Sequence, residues 1–169
     1  MLEKMPSCGL NRNEMNISYT LGDEFGADRA YEHYPLLRGH VTGSQDGKPL
    51  APLLGDISDY DGGAHDIKIG PLLYGLCYSD HVVLYSFKPI SKDYSDCEIT
   101  WLVKDTAVEG KDYDKDRLTW LWDVTTKADK SIIEHNQAGV SSRMFEPGPF
   151  STFEGSTQRW VEWYLASIR

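Results

Sequence analysis

The sequence predicts an α+β fold, an antiparallel sheet covered by helices, and two observations carry that prediction. Between Asp66 and Thr106 apolar residues recur with a period of two, interrupted by turn residues. From Leu118 onward the period becomes that of a helix, and a second helical stretch closes the chain. Strands followed by helices, instead of alternating with them, are the pattern of an α+β domain.

At 169 residues and 19.1 kDa the chain has the size of one domain and can bury most of a single core. It is 40% hydrophobic and 25% charged, as soluble globular proteins are. Its net charge of −9 and lack of any basic run exclude a nucleic acid held by its phosphates or attraction to an anionic membrane surface. No run approaches membrane-spanning length. Ten Tyr, five Trp and five Phe suit a sizeable apolar pocket or interface. Cys8, Cys77 and Cys97 stand singly, so they read as reduced thiols in a cytoplasmic protein.

Residues 1–65 read as a loop-rich N-terminal excursion, with Gly and Pro recurring and Tyr31, Tyr34, Leu36, Leu37, Leu53 and Leu54 as anchors. The acidic turns around Asp23 and from Asp59 to Gly63 lack the spacing of a calcium loop and read as solvated. Residues 66–169 form the body of the single domain. DIKIGPLLYGLCYS, DHVVLYSFKPI and CEITWLVKDT read as three strands of a meander, with Pro71 at an edge, strand end or bulge. In the second, Val83, Tyr85 and Phe87 share a face; in the third, Ile99, Trp101 and Val103 do.

Leu118 to Asn136 reads as a long helix ending near Gly139. At ~100° per residue, Leu118, Trp122, Thr125, Ile133 and Asn136 fall within ~40° of one line, and Asp129 falls on it too. A carboxylate on an inward stripe is either a cap for neighbouring backbone or a metal ligand. Ser151 and Glu154 have capping-box spacing before a terminal helix that aligns Trp160, Trp163, Tyr164 and Ile168.

The pieces WLWDVTTKADKSIIEHNQAGVSSRMFEPGPFSTFE and VEWYL resemble, in order and spacing, the end of the catalytic domain of Rieske non-haem iron ring-hydroxylating oxygenases, in the large (α) subunit. A weaker likeness reaches back through DHVVLYSFKPIS, and the wording is similar to members acting on quaternary ammonium or small aromatic substrates. The resemblance implies a helix-grip, lipid-transfer-protein-like fold, in which an antiparallel sheet wraps a long helix and the pocket lies between them. It implies a mononuclear Fe(II) held by two His and one carboxylate, an arrangement that leaves positions open for dioxygen and substrate. Asp129, five residues before Glu134, matches the carboxylate. Tyr85, Phe87, Trp101 and Trp122 are the candidate pocket walls, and Asn136 and Gln137 are hydrogen-bonding residues near the site.

Two features of the family are absent from these residues. The Cys-x-His and Cys-x2-His pairs that hold the [2Fe–2S] cluster are not present, nor is the stretch carrying the two iron-binding His. None of His33, His40, His65, His81 and His135 has ligand spacing, and His81 at a strand start is expected to be exposed. The expectation is therefore a C-terminal portion of an oxygenase α subunit, truncated on its N-terminal side. By itself it is expected to be inactive and metal-free. Its implied partners are the missing N-terminal Rieske portion, an electron-transfer reductase and a small organic substrate. The alternative is a metal-free helix-grip module binding a small apolar ligand. Self-association into a homo-oligomer through uncovered apolar surface is a third expectation.

Overall fold

A computed structural model of the chain describes residues 4–5, 10–11, 18–21, 29–152 and 154–169. Its strands are β1 (Lys4–Met5), β2 (Leu10–Asn11), β3 (Ser18–Leu21), β4 (Arg29–Pro35), β5 (Gly63–Ile69), β6 (Leu73–Cys77), β7 (Val82–Ser91) and β8 (Tyr94–Leu102). The helices are α1 (Lys115–Val140) and α2 (Gly155–Ser167). β1 and β2 pair with each other, and β3 to β8 form a six-stranded antiparallel sheet in chain order. The architecture is α+β. The chain divides into two compact units, Met1–Trp120 and Leu121–Arg169, where one domain was expected.

Three local readings are corrected. The stretch 1–65 is not all loop: β3 and β4 lie within it, and β4 pairs with β5 along its whole length. The period of β4 is hidden because Tyr31, His33 and Pro35 alternate with Ala30, Glu32 and Tyr34, and neither set is simply apolar. DIKIGPLLYGLCYS is two strands, not one. Gly70 at φ +59° turns the chain, Pro71 follows it with no N–H to contribute to a ladder, and β6 returns along β5. Ser151 does not cap α2: its N–H donates to the Glu154 carboxylate at 2.7 Å, but the helix begins at Gly155.

The core of the first unit is Leu50, Ala51, Ala64, Leu76, Tyr78, Val83 and Leu118. The segment from Leu36 to Gly62 reaches this core by backbone bonds, Leu36 N–H to Gly62 C=O and Leu54 N–H to Ser79 C=O, each 2.9 Å. Gly43 lies directly against the Tyr78 ring, where a Cβ would collide. Asp80 and His81 are fully buried, so His81 is not the exposed strand-start histidine that the sequence suggested. The Asp80 carboxylate is what draws it in. That carboxylate accepts from Thr42 Oγ1 at 2.5 Å and Leu50 N–H at 2.9 Å, and bonds His81 Nδ1 at 2.7 Å. Burial pushes its pKa up, but these hydrogen bonds outweigh it and hold the carboxyl below its ordinary value.

α1 is started by Asp114, whose carboxylate accepts from Arg117 N–H at 2.9 Å. Farther along, Lys127 and Asp123 pair at 2.6 Å across one turn. Gly139 lies inside the helix, one residue before its end at Val140. In the second unit, Ile132, Ile133 and Met144 are exposed by 66%, 64% and 80%. Trp160 and Trp163 of α2 are half-buried, while Tyr164 and Ile168 are exposed.

Candidate functional site

Asp129 is exposed, as are Ile133 and Asn136 on the same helical stripe, whereas Leu118 is buried and Trp122 and Thr125 are half-buried. The stripe is therefore covered along its first turns and open along its last, and the carboxylate bears no desolvation cost. This corrects the inward placement that periodicity suggested. Within its own unit Asp129 has one histidine, His135, so these residues do not by themselves complete a two-histidine, one-carboxylate iron site. Gln137 is exposed and donates from Nε2 to Ser141 Oγ at 3.3 Å.

Three of the four pocket candidates belong to one face of the sheet. Residues directly opposite in an antiparallel ladder project to the same side. The register Tyr74↔Tyr85↔Ile99 and Leu76↔Val83↔Trp101 therefore puts Tyr74, Tyr85, Phe87 and Trp101 together. The Tyr85 and Phe87 rings stack with centroids 6.3 Å apart. The Trp101 Nε1–H is buried without a hydrogen-bond partner among the described residues. Trp122 lies in the other unit.

On that same face β4 and β5 contribute an acid pair, Glu32 directly opposite Asp66. Like charges opposite each other are unfavourable in a ladder. Burial, with Glu32 adding to it, pushes the Asp66 carboxyl up to about 6 against the hydrogen bond it accepts from Tyr34 Oη at 3.0 Å. Burial also raises Glu32, and it raises the phenol of Tyr74 with the Asp66 charge adding. The result is a partly open surface on which carboxylates stand among tyrosines and a tryptophan. Aromatic faces and carboxylates are groups that can hold an organic cation, and Lys68, directly opposite Tyr74 on the same face, is the charge that opposes one.

The opposite face of the same ladder holds a different set. His33 and His65 are cross-strand partners, their rings stacked at 4.4 Å. Asp61, just before β5, joins them, its Oδ2 lying 2.6 Å from His65 Nε2. Among the described residues, His33, Asp61 and His65 are the one group of three metal-ligating side chains whose ligand atoms all fall within 4.8 Å of one another. Neither histidine had ligand spacing in sequence, and Asp61 read as part of a solvated turn. The only signal was the odd-position alternation that places Tyr31, His33 and His65 on one side, and it needs the strand pairing to be visible.

The profile described as "Ring hydroxylating alpha subunit (catalytic domain)" matches residues 26–169. The chain belongs to the ring-hydroxylating oxygenase α-subunit family. It is 37% identical over 142 residues to the glycine betaine monooxygenase oxygenase subunit of Pseudomonas aeruginosa, covering 83% of this chain and 33% of that protein. It is 32% identical over 142 residues to the subunit of the same name from Chromohalobacter salexigens, covering 83% of this chain and 32% of that one. The chain thus spans about a third of the length of the curated relatives it matches. The family is one that uses iron and a Rieske cluster, and this chain is its catalytic-domain portion.

Proposed function

We propose that the protein to which this chain contributes its catalytic-domain portion hydroxylates a quaternary ammonium substrate with dioxygen at a mononuclear iron. The observation that carries the substrate class is the sheet face on which Tyr74, Tyr85, Phe87 and Trp101 stand with Asp66 and Glu32. A methylated ammonium cannot donate a strong hydrogen bond, so it is recognised by aromatic faces and by nearby negative charge. The relatives' name, glycine betaine monooxygenase oxygenase subunit, agrees with that class.

In this reading the fold is of the helix-grip kind, and Asp129 is the carboxylate ligand of the iron. The family's motifs for the two imidazole ligands and the [2Fe–2S] cluster are not among these residues, and a reductase supplies the electrons. Iron, when bound, supplies the activation of dioxygen. The residues of this chain bind and orient the cation and exclude water from it. Asp66 is ionised above about pH 6 and meets the positive charge.

The test is a titration of the chain with tetramethylammonium, read by tryptophan fluorescence, beside a neutral tert-butyl isostere. The expected result is saturable binding of the cation, weakened about tenfold by Asp66→Asn, an effect of the size of one charge-assisted contact. Equal binding of the neutral isostere would instead favour an apolar-ligand module. Iron ligation is tested separately, by joining the chain to the N-terminal two thirds of the Pseudomonas aeruginosa relative. Asp129→Ala then abolishes iron retention and oxygen-dependent consumption of glycine betaine, and retention of both would remove Asp129 from the site.

A further inference from the structure

We propose that His33, Asp61 and His65 form a binding site for a divalent transition-metal ion, on the sheet face opposite the tyrosine–carboxylate surface. The site does not include Asp129 and does not depend on the oxygenase reading.

Each of the three side chains presents a ligand atom to the others. His65 is fixed by Tyr31, whose Oη lies 2.6 Å from Nδ1, leaving Nε2 toward Asp61. A second-shell bond of this kind holds the ring orientation of a metal-binding histidine. Asp61 is fixed through Oδ1, which accepts from Gly63 N–H at 3.0 Å and from Ser79 Oγ at 3.3 Å, leaving Oδ2 toward His65.

His33 is the informative member. Its Nε2 is buried with no hydrogen-bond partner among the described residues. It lies against Gly63, midway in sequence between Asp61 and His65, where any Cβ would collide with it. A buried ring nitrogen with no partner is costly. Glycine at that position leaves room for the ring, and a ring nitrogen of His33 is among the three ligand atoms within 4.8 Å of one another. An ion bound there gives that nitrogen its partner.

The chemistry of the donors selects the ion. Two imidazoles and one carboxylate suit zinc, cobalt, ferrous iron or nickel, whereas magnesium and calcium require an oxygen cage. Metal–ligand bonds of about 2.0–2.2 Å place neighbouring ligand atoms roughly 3–3.5 Å apart, so the His65–Asp61 pair opens by under about an ångström to admit the ion. Three protein ligands leave at least one coordination position for water or an anion. Binding ties the loop at Asp61 to both β4 and β5, so the ion also stabilises the folded sheet.

The test uses the full chain, stripped with chelator and titrated with cobalt(II), followed by calorimetry and visible absorption, with magnesium(II) in parallel. The expected result is one equivalent of cobalt bound and no comparable magnesium binding. Affinity falls at least a hundredfold in His65→Gln and His33→Gln and about tenfold in Tyr31→Phe, the size of a second-shell loss. His135→Ala leaves it within twofold. A readout free of variants is the imidazole nitrogen spectrum of the wild type, in which zinc(II) shifts His33 and His65 but not the buried His81. Absence of stoichiometric binding would overturn the proposal. So would wild-type affinity in both glutamine variants, or zinc shifts confined to other histidines. Any of these outcomes would leave His65 and Asp61 as a hydrogen-bonded pair only.

Discussion

The two faces of the β4–β5 ladder differ by a single step along each strand. On one side Glu32 meets Asp66, and on the other His33 meets His65. The first is a pairing that a ladder optimised only for stability avoids, because it places like charges opposite one another; the second is a stacked ring pair. Their surroundings differ in kind. The carboxylates sit among tyrosines, with burial raising both acids. The imidazoles sit beside Asp61, whose carboxyl is held below its ordinary value. One face therefore suits a diffuse organic cation and the other a compact metal ion. Strand alternation alone is enough to keep them apart.

The largest expected effect separates the faces outright. His65→Gln removes cobalt(II) affinity by a hundredfold or more while leaving tetramethylammonium binding within twofold, measured by calorimetry on one preparation. Next in size, Asp66→Asn weakens tetramethylammonium about tenfold and leaves cobalt affinity within threefold, since Asp66 lies across the sheet from the metal donors. A mutual loss in either variant would break the comparison.

A smaller effect follows from titration. The Asp66 carboxyl is raised in the folded state to about 6, so between about pH 4 and 6 the folded chain holds a proton that the unfolded chain has released. Stability then falls as pH rises through that window, by about 1 kcal/mol for a half-buried acid facing Glu32 and Tyr34. Urea midpoints at pH 4.5 and 6.5 measure it, and Asp66→Asn flattens the difference. Asp61 and Asp80, both held low, act in the opposite sense and only below about pH 4. The smallest effect is expected at Asp129. Because it is exposed, Asp129→Ala changes the stability of this chain by less than about 0.5 kcal/mol.

What was legible in the sequence follows the same division between local pattern and distant pairing. β7, β8 and both helices announce themselves because their apolar residues keep one period over many positions. The grouping of Tyr85, Phe87 and Trp101 came with them. β4 was not legible, since its partner lies beyond a long loop and its own alternation mixes aromatic and titratable residues. His33 and His65 become neighbours only through that register. His81 was misread for a related reason: the hydroxyl that helps bury its Asp80 partner belongs to Thr42, 38 residues away from Asp80. Asp129 shows the converse limit, because helical phase puts a residue on a stripe without saying what covers the stripe. The motif residues from Leu118 to Tyr164 were legible as family members, and the match over residues 26–169 establishes that membership.

The claim that two separate cation sites lie back to back on one ladder is tested most directly by titrating zinc(II) into the chain with and without saturating tetramethylammonium. Separate sites predict a zinc affinity that falls less than about threefold, the remaining repulsion being screened across the sheet. Displacement of zinc by the organic cation, seen as a loss of tenfold or more, would contradict it and reduce the two faces to a single cation site.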